Sequence, residues 1–276
     1  MKSKIKIFQI IVFFVFVSPA YAQETKHASH KPVGDRYVLH AGIFRPYVAT
    51  SLQINNQYTP GTIISLEDDL GFEDRPWLFK VDGYAAITKR SAFKLTYTNL
   101  NRKSAWDIDR DINIFDTTFH VGANLDVFFN TTFLSLSYKY NIFTKPTWDA
   151  GAAFGIRFLR IKTGAKLETN NFSKFDESVA IAAPAPVFGL YGNAYLNEQL
   201  MFRCSFDYFS VSIKGIRGFV IDNNLSLEYY FIKNLGVGAA VNFLAFRIDD
   251  LPIGENFDGQ IKYNLSGFSL FLAAKF

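Results

Sequence analysis

The chain has one cysteine in 276 residues, Cys204. This excludes an intrachain disulfide framework and a cysteine-based metal site, leaving packing and backbone hydrogen bonds to supply stability. Long hydrophobic runs are equally scarce. After residue 22 no convincing uncharged stretch of 18 residues occurs, and the longest apolar candidate, VAIAAPAPVFGLY from Val179 to Tyr191, carries Pro184 and Pro186. A helix interior does not accommodate those prolines, so helical membrane spans are not expected. Net charge is small too. The formal +4 falls to +1 once Lys2, Lys4 and Lys6 are assigned to a leader, and no dense Lys/Arg tract remains to hold a nucleic acid.

What is plentiful is aromatic. The chain carries 30 Phe, 14 Tyr and 18 Gly, spread as many short aromatic-rich strands would be. For such a chain in lipid, the architecture left after helices is a closed barrel, because every backbone polar group must be satisfied internally.

The N-terminus reads as an export leader. Lys2, Lys4 and Lys6 precede an apolar run from Ile7 to Val17, broken only by Gln9, and SPAYA from Ser18 to Ala22 is an Ala-x-Ala processing site with cleavage before Gln23. The expected organisation is a signal peptide over 1–22, a flexible periplasmic arm over 23–36 and a barrel domain over 37–276.

The stretch Ile261 to Phe276, IKYNLSGFSLFLAAKF, shows the pattern most clearly. Phe268, Leu270, Leu272, Ala274 and Phe276 share one face, and Ser269, Phe271, Ala273 and Lys275 the other, which suits a strand between lipid and a lumen. The alternative for this segment alone is a soluble sandwich strand. Similar alternation recurs at Phe79–Ile87, Phe93–Tyr97, Leu134–Tyr140, Ala150–Phe158, Phe202–Tyr208, Leu225–Phe231 and Val237–Phe243. A strand over Val38–Val48 has faces that the pattern leaves unassigned, and one further strand ends near Leu196. Short turns at Lys89–Arg90, Thr144–Thr147, Asn197–Gln199 and Lys233–Asn234 alternate with longer connections: Ala49–Pro76, Asn101–Phe128, Lys166–Ser178 and the RIDDLPIGENFD loop. That asymmetry predicts an all-β, antiparallel transmembrane barrel of ten strands. Eight or twelve are the alternatives, depending on whether pieces near Thr62 and Ile112 span.

On this assignment Lys80, Asp82, Lys94, Lys139, Arg157, Arg203, Asp207, Glu228 and Lys275 point inward, as a packed network of paired charges or as the wall of a narrow polar path. The acidic run Leu66–Arg75 places Asp68, Asp69, Glu73 and Asp74 close together, with Asp249 and Asp250 on another loop. Their spacing is not that of an EF-hand, and a solvated loop is the simpler reading. His120, near Asp109, Asp111 and Asp116, is the best catalytic candidate, since a carboxylate can orient a histidine base. His27 and His30 fall in the arm and His40 at the first strand. Cys204 alternates with Phe202, Phe206 and Tyr208 as a small lipid-facing residue. Trp77 and Trp148 sit near strand ends, where an aromatic belt would place them. No catalytic, cofactor-binding or metal residue is assigned.

The leader through Ala22, the alternating strands over most of the mature chain and the terminal FSLFLAAKF together resemble bacterial outer-membrane β-barrel proteins as a broad class. The resemblance implies residence in the bacterial outer membrane, contact with its lipid and lipopolysaccharide, and recognition of Phe268, Leu270, Leu272, Ala274 and Phe276 by the barrel-assembly machinery. Ten-strand outer-membrane proteases belong to this class, but Asp109, Asp111 and His120 do not match their rim pattern of acidic and histidine pairs. The expected function is a structural or surface-interaction barrel with a side-chain-filled lumen. The alternatives are a narrow pore, a membrane-embedded hydrolase or lipid-modifying enzyme with a rim site near His120, and a soluble periplasmic barrel whose apolar faces turn inward. The oligomeric state is left open.

Overall fold

The computed structural model describes residues 36–276 apart from 57–60, 62, 108–111, 115–116, 120–123, 169–174, 214–215 and 253–256. The leader over 1–22, and the expected arm except Arg36, lie outside the described residues.

The strands are β1 (Tyr37–Asn56), β2 (Ile63–Ser65), β3 (Leu78–Ala86), β4 (Ser91–Asp107), β5 (Ile112–Ile114), β6 (Thr117–Phe119), β7 (Asn124–Thr144), β8 (Trp148–Glu168), β9 (Phe175–Tyr195), β10 (Leu200–Ile213), β11 (Ile216–Ile232), β12 (Leu235–Pro252) and β13 (Phe257–Lys275). Ten of them pair antiparallel with their chain neighbours, and β13 closes on β1 from Val38↔Lys275 to Asn56↔Phe257. The barrel is sealed at the terminal end, where Arg36 N and Tyr37 N donate to Phe276 O at 2.8 and 3.1 Å. β2 and the isolated β5–β6 hairpin do not span, which settles the strand count at ten. The four short turns share one end with the two described chain ends, and the longer connections share the other.

The strands reach further than their alternation suggested. The first runs to Asn56 rather than Val48, β4 continues to Asp107 and β7 starts at Asn124, so much of the expected connections at Ala49–Pro76 and Asn101–Phe128 is barrel wall. β7 and β8 are 21 residues each, about twice the 9–11 that crossing a bilayer requires.

That excess length divides the barrel into two zones. Towards the short turns the outer face is apolar and exposed: Phe93, Leu95 and Tyr97 on β4, Leu134, Leu136, Tyr138 and Tyr140 on β7, and Phe154, Ile156 and Phe158 on β8. The inner face of the same segments carries buried Ser135, Ser137, Lys139 and Arg157. On β7 the outward band runs from Leu134 to Ile142, which at the strand rise and barrel tilt is roughly 20 Å tall. Beyond Tyr97, Leu134 and Phe158 the arrangement inverts. Outward positions become Asn99, Asn101, Lys103, Arg160 and Lys162, while Leu100, Phe129, Phe133 and Ile161 are buried inside. β1 follows the same division once its faces are known: Leu39 and Ile43 point out, and Phe44 and Val48 lie inside.

One strand breaks the symmetry of the wall. β3 starts only at Leu78, opposite Phe44, so the upper parts of β1 and β4 have no β3 between them. The connection before β3 occupies this notch. Ile63–Ser65 pairs with Gln53–Ser51, Leu66 N donates to Thr50 O at 3.0 Å, and Val48 N donates to Asp74 O at 2.7 Å. Gly71, at φ 64°, takes the left-handed conformation with which the segment turns back.

Candidate functional site

Among the described residues, buried chemical groups converge in the lumen, which is built in three levels. At the short-turn end Met201, Tyr230 and Ala273 pack together with Tyr195 and Phe271, and the Lys275 ammonium lies 4.1 Å from the centre of the Tyr230 ring.

The middle level is a girdle of charge. Strand alternation aims Arg203 of β10 and Glu228 of β11 inward. The fully buried Glu228 carboxylate accepts from Arg203 Nε at 2.7 Å and from Tyr230 OH at 2.7 Å, with His40 Nε2 at 3.4 Å. Arg157 Nη2 donates to Asp222 Oδ2 at 2.6 Å and lies 3.6 Å from Asp207. Lys80 Nζ donates to Asn242 Oδ1 at 2.7 Å, and Asn242 Nδ2 passes the chain on to Ser269 Oγ at 2.9 Å. The Lys139 ammonium sits 3.7 Å from the centre of the Tyr191 ring, and Asn193 Nδ2 donates to Asp149 Oδ1 at 2.6 Å. Cations and carboxylates therefore meet across the lumen, as buried charges must if their desolvation is to be offset. The inward assignments of Lys80, Asp82, Lys94, Lys139, Arg157, Arg203, Asp207, Glu228 and Lys275 all hold. A cavity of about 70 Å³ remains among His40, Lys80, Asp82, Lys94 and Lys139, enough for a few waters.

The upper level is apolar. Phe44, Val48, Leu100, Phe129, Phe133, Ile161, Phe246, Ile261, Tyr263 and Leu265 fill the barrel from its walls, and Leu66, Leu70 and Phe72 of the connection join them. Buried within is an ion pair that the sequence did not suggest. Arg102 is bonded to Glu67 through Nη1 and donates to Thr50 Oγ1 at 2.8 Å through Nη2, while the other Glu67 oxygen accepts from Thr50 N at 2.7 Å. The Arg102 guanidinium also lies 5.3 Å from the Phe72 ring centre and 5.5 Å from that of Phe129. Both residues fall in stretches that the alternation assigns to connections, Ala49–Pro76 and Asn101–Phe128. Arg102 belongs to the wall and Glu67 to the plug, so the pair ties the connection into the lumen.

The other candidates are dispersed. Asp69 Oδ2 accepts from Ser65 N at 2.8 Å, Asp74 lies 3.7 Å from Arg75, Asp249 accepts from Arg247 Nε, and Asp250 accepts from Arg217 Nε at 2.7 Å. Among the described residues no three acid, histidine or cysteine groups converge as metal ligands. His120, Asp109, Asp111 and Asp116 lie outside the described residues, as do His27 and His30. Cys204 is on the outer face, with Sγ 3.5 Å from Gly192 O. Trp77 and Trp148 are exposed at the starts of β3 and β8, and Arg45 stacks on Trp77 at 4.9 Å.

No family model and no curated protein sequence matches this chain. Among solved structures, the outer membrane protease OmpT from Escherichia coli aligns over 92% of this chain and 100% of its own, with a TM-score of 0.53 at 11% identity. The fold is that of a bacterial outer-membrane β-barrel. More distant matches are the translocator domain of autotransporter NalP from Neisseria meningitidis (TM-score 0.43, 10% identity, 88% of this chain and 89% of that one) and OprG from Pseudomonas aeruginosa (0.37, 12%, 90% and 98%). At 11% identity the likeness to OmpT shows the fold alone, and the chemistry of this chain must be read from its own residues.

Proposed function

We propose that the chain resides in the bacterial outer membrane as a sealed, non-enzymatic barrel, with its longer loops outward and a structural or surface-interaction role. The observation that carries this reading is the apolar upper level of the lumen, with the connection before β3 bound into it by Arg102 and Glu67. A water path would have to pass Phe129, Phe133, Phe246 and Tyr263, which stack or tilt against one another at 4.9–6.3 Å between ring centres. The paired charges below them add cross-links rather than a selectivity ring. Outer-membrane residence is supported by the exposed apolar band, by the barrel's end-to-end asymmetry and by Phe268, Leu270, Leu272 and Phe276 all facing outward on the closing strand, where assembly machinery would read them.

Planar-bilayer recording on the folded protein, with insertion checked by protease protection, tests the reading. Inserted protein that passes no current is the expected result. Discrete, reproducible conductance steps would overturn the sealed lumen and favour a narrow pore.

A further inference from the structure

We propose that the middle level of the lumen is a binding site for one small inorganic anion of the halide class, held between Lys94 of β4 and Lys139 of β7. The site depends on the barrel interior alone and not on where the barrel resides.

The register brings two cations together. Lys94 is paired with Ser137, and Lys139 is the next inward residue along β7. Diagonal neighbours of this kind lie about 7–8 Å apart, within joint reach of two lysine side chains. Strand alternation turns both into the lumen, where with Lys80 they line the cavity of about 70 Å³. Lys139 is nine-tenths buried. Its ammonium lies 3.7 Å from the centre of the Tyr191 ring and 5.5 Å from that of Tyr84. Ring faces attract a cation, but they do not neutralise it.

The carboxylates of this level are engaged elsewhere. Glu228 holds Arg203, Asp207 and Asp222 flank Arg157, Asp149 accepts from Asn193, and Asp82 faces Lys80 at 4.0 Å. Among the described residues no carboxylate lies within ion-pair distance of Lys94 or Lys139. Two like charges side by side in a desolvated wall repel each other, and each carries a burial cost; an anion between them offsets both. The space then sets the class of ligand. Room for a few waters admits a halide and excludes a sugar phosphate or an organic acid. A spherical ion also asks for no fixed donor direction. The hydroxyls of Ser205 and Ser226, which line the same cavity, can turn a hydrogen towards it.

Chloride is the probe for the test. The full folded protein in detergent micelles is unfolded with urea at constant ionic strength, sodium chloride replacing sodium gluconate, whose anion is too large for the cavity. A ligand held only by the folded state multiplies the folding constant by 1 + [L]/Kd. For a dissociation constant below roughly 30 mM, that constant should rise about tenfold or more between about 3 and 300 mM chloride. K94Q/K139Q should rise less than about twofold over the same range, while Lys262→Gln, on the outer face of β13, should respond as wild type does. Bromide-soaked crystals of the wild type give a measurement that no variant's folding can obscure, and anomalous scattering should place one bromide between Lys94 and Lys139. Bromide confined to the outer surface, a wild-type folding constant that chloride leaves unchanged, or an equal rise in K94Q/K139Q would each overturn the site.

Discussion

Replacing Arg102 by alanine probes the upper seal. The substitution leaves the Glu67 carboxylate, whose side chain is 8% exposed, with Thr50 N as its remaining donor. Removing one partner of a buried ion pair costs about 3–5 kcal/mol. The connection has an escape, since Glu67 lies on a plug segment and could swing out to water. That route would expose Leu66, Leu70 and Phe72, at 3%, 8% and 4% accessibility, and burying each such side chain is worth about 1.5–3 kcal/mol, or roughly 5–9 for the three. Escape is the costlier course, so the plug should stay seated and the barrel should absorb the loss. Equilibrium urea unfolding in detergent micelles should therefore show Arg102→Ala less stable by about 3–5 kcal/mol, with residues 63–77 still resistant to protease. The double variant Arg102→Leu/Glu67→Leu should lie within about 1 kcal/mol of wild type, because two apolar groups replace the pair without stranding a charge. A loss below about 1 kcal/mol for Arg102→Ala, or a double variant as unstable as the sum of the singles, would refute a buried latch.

Two further substitutions test the wall. Leu136→Arg places a cation in the exposed apolar band, and unfolding from lipid vesicles should show a loss of about 2–4 kcal/mol; a change below about 0.5 would mean that this face does not meet hydrocarbon. Gly155→Ala should destabilise by about 1–3 kcal/mol in the same assay, because a Cβ there would collide with the Leu136 carbonyl oxygen on the neighbouring strand. Tolerance of that alanine would contradict the close approach of β7 and β8.

Inside the lipid-facing zone the sequence was informative because the two faces differ in chemistry. Leu134, Leu136, Tyr138 and Tyr140 against Ser135, Ser137, Lys139 and Asn141 identify both the strand and its orientation. Past Leu134 the contrast fades as the outer face turns polar, so Asn101 and Lys103 read as loop although they are strand. Arg45 had the same effect on β1, a cation on the outward face beside Trp77. The plug was hidden for another reason. Leu66, Leu70 and Phe72 are single apolar residues in an acidic run, and the buried cluster they join includes Phe129, Phe246 and Tyr263, far away in the chain. Glu67 and Arg102 are 35 positions apart, and no local pattern links a loop carboxylate with a wall arginine.

The inversion between the zones explains why one barrel has two kinds of interior. Where lipid covers the outside, apolar residues are needed there, and the lumen can hold Arg157, Arg203 and Glu228 because neighbouring strands supply their partners. Above the lipid the outer face must be wetted, and that section gains stability as a water-soluble domain does, from an apolar core of Leu100, Phe129, Phe133, Ile161 and Tyr263. The crossover is sharp, since Leu134 faces out and Phe133 beside it faces in. An open channel would need a polar lining through both zones, and the water-exposed zone cannot provide one without giving up its core. The closed lumen and the long protruding strands are therefore two consequences of the same sequence pattern.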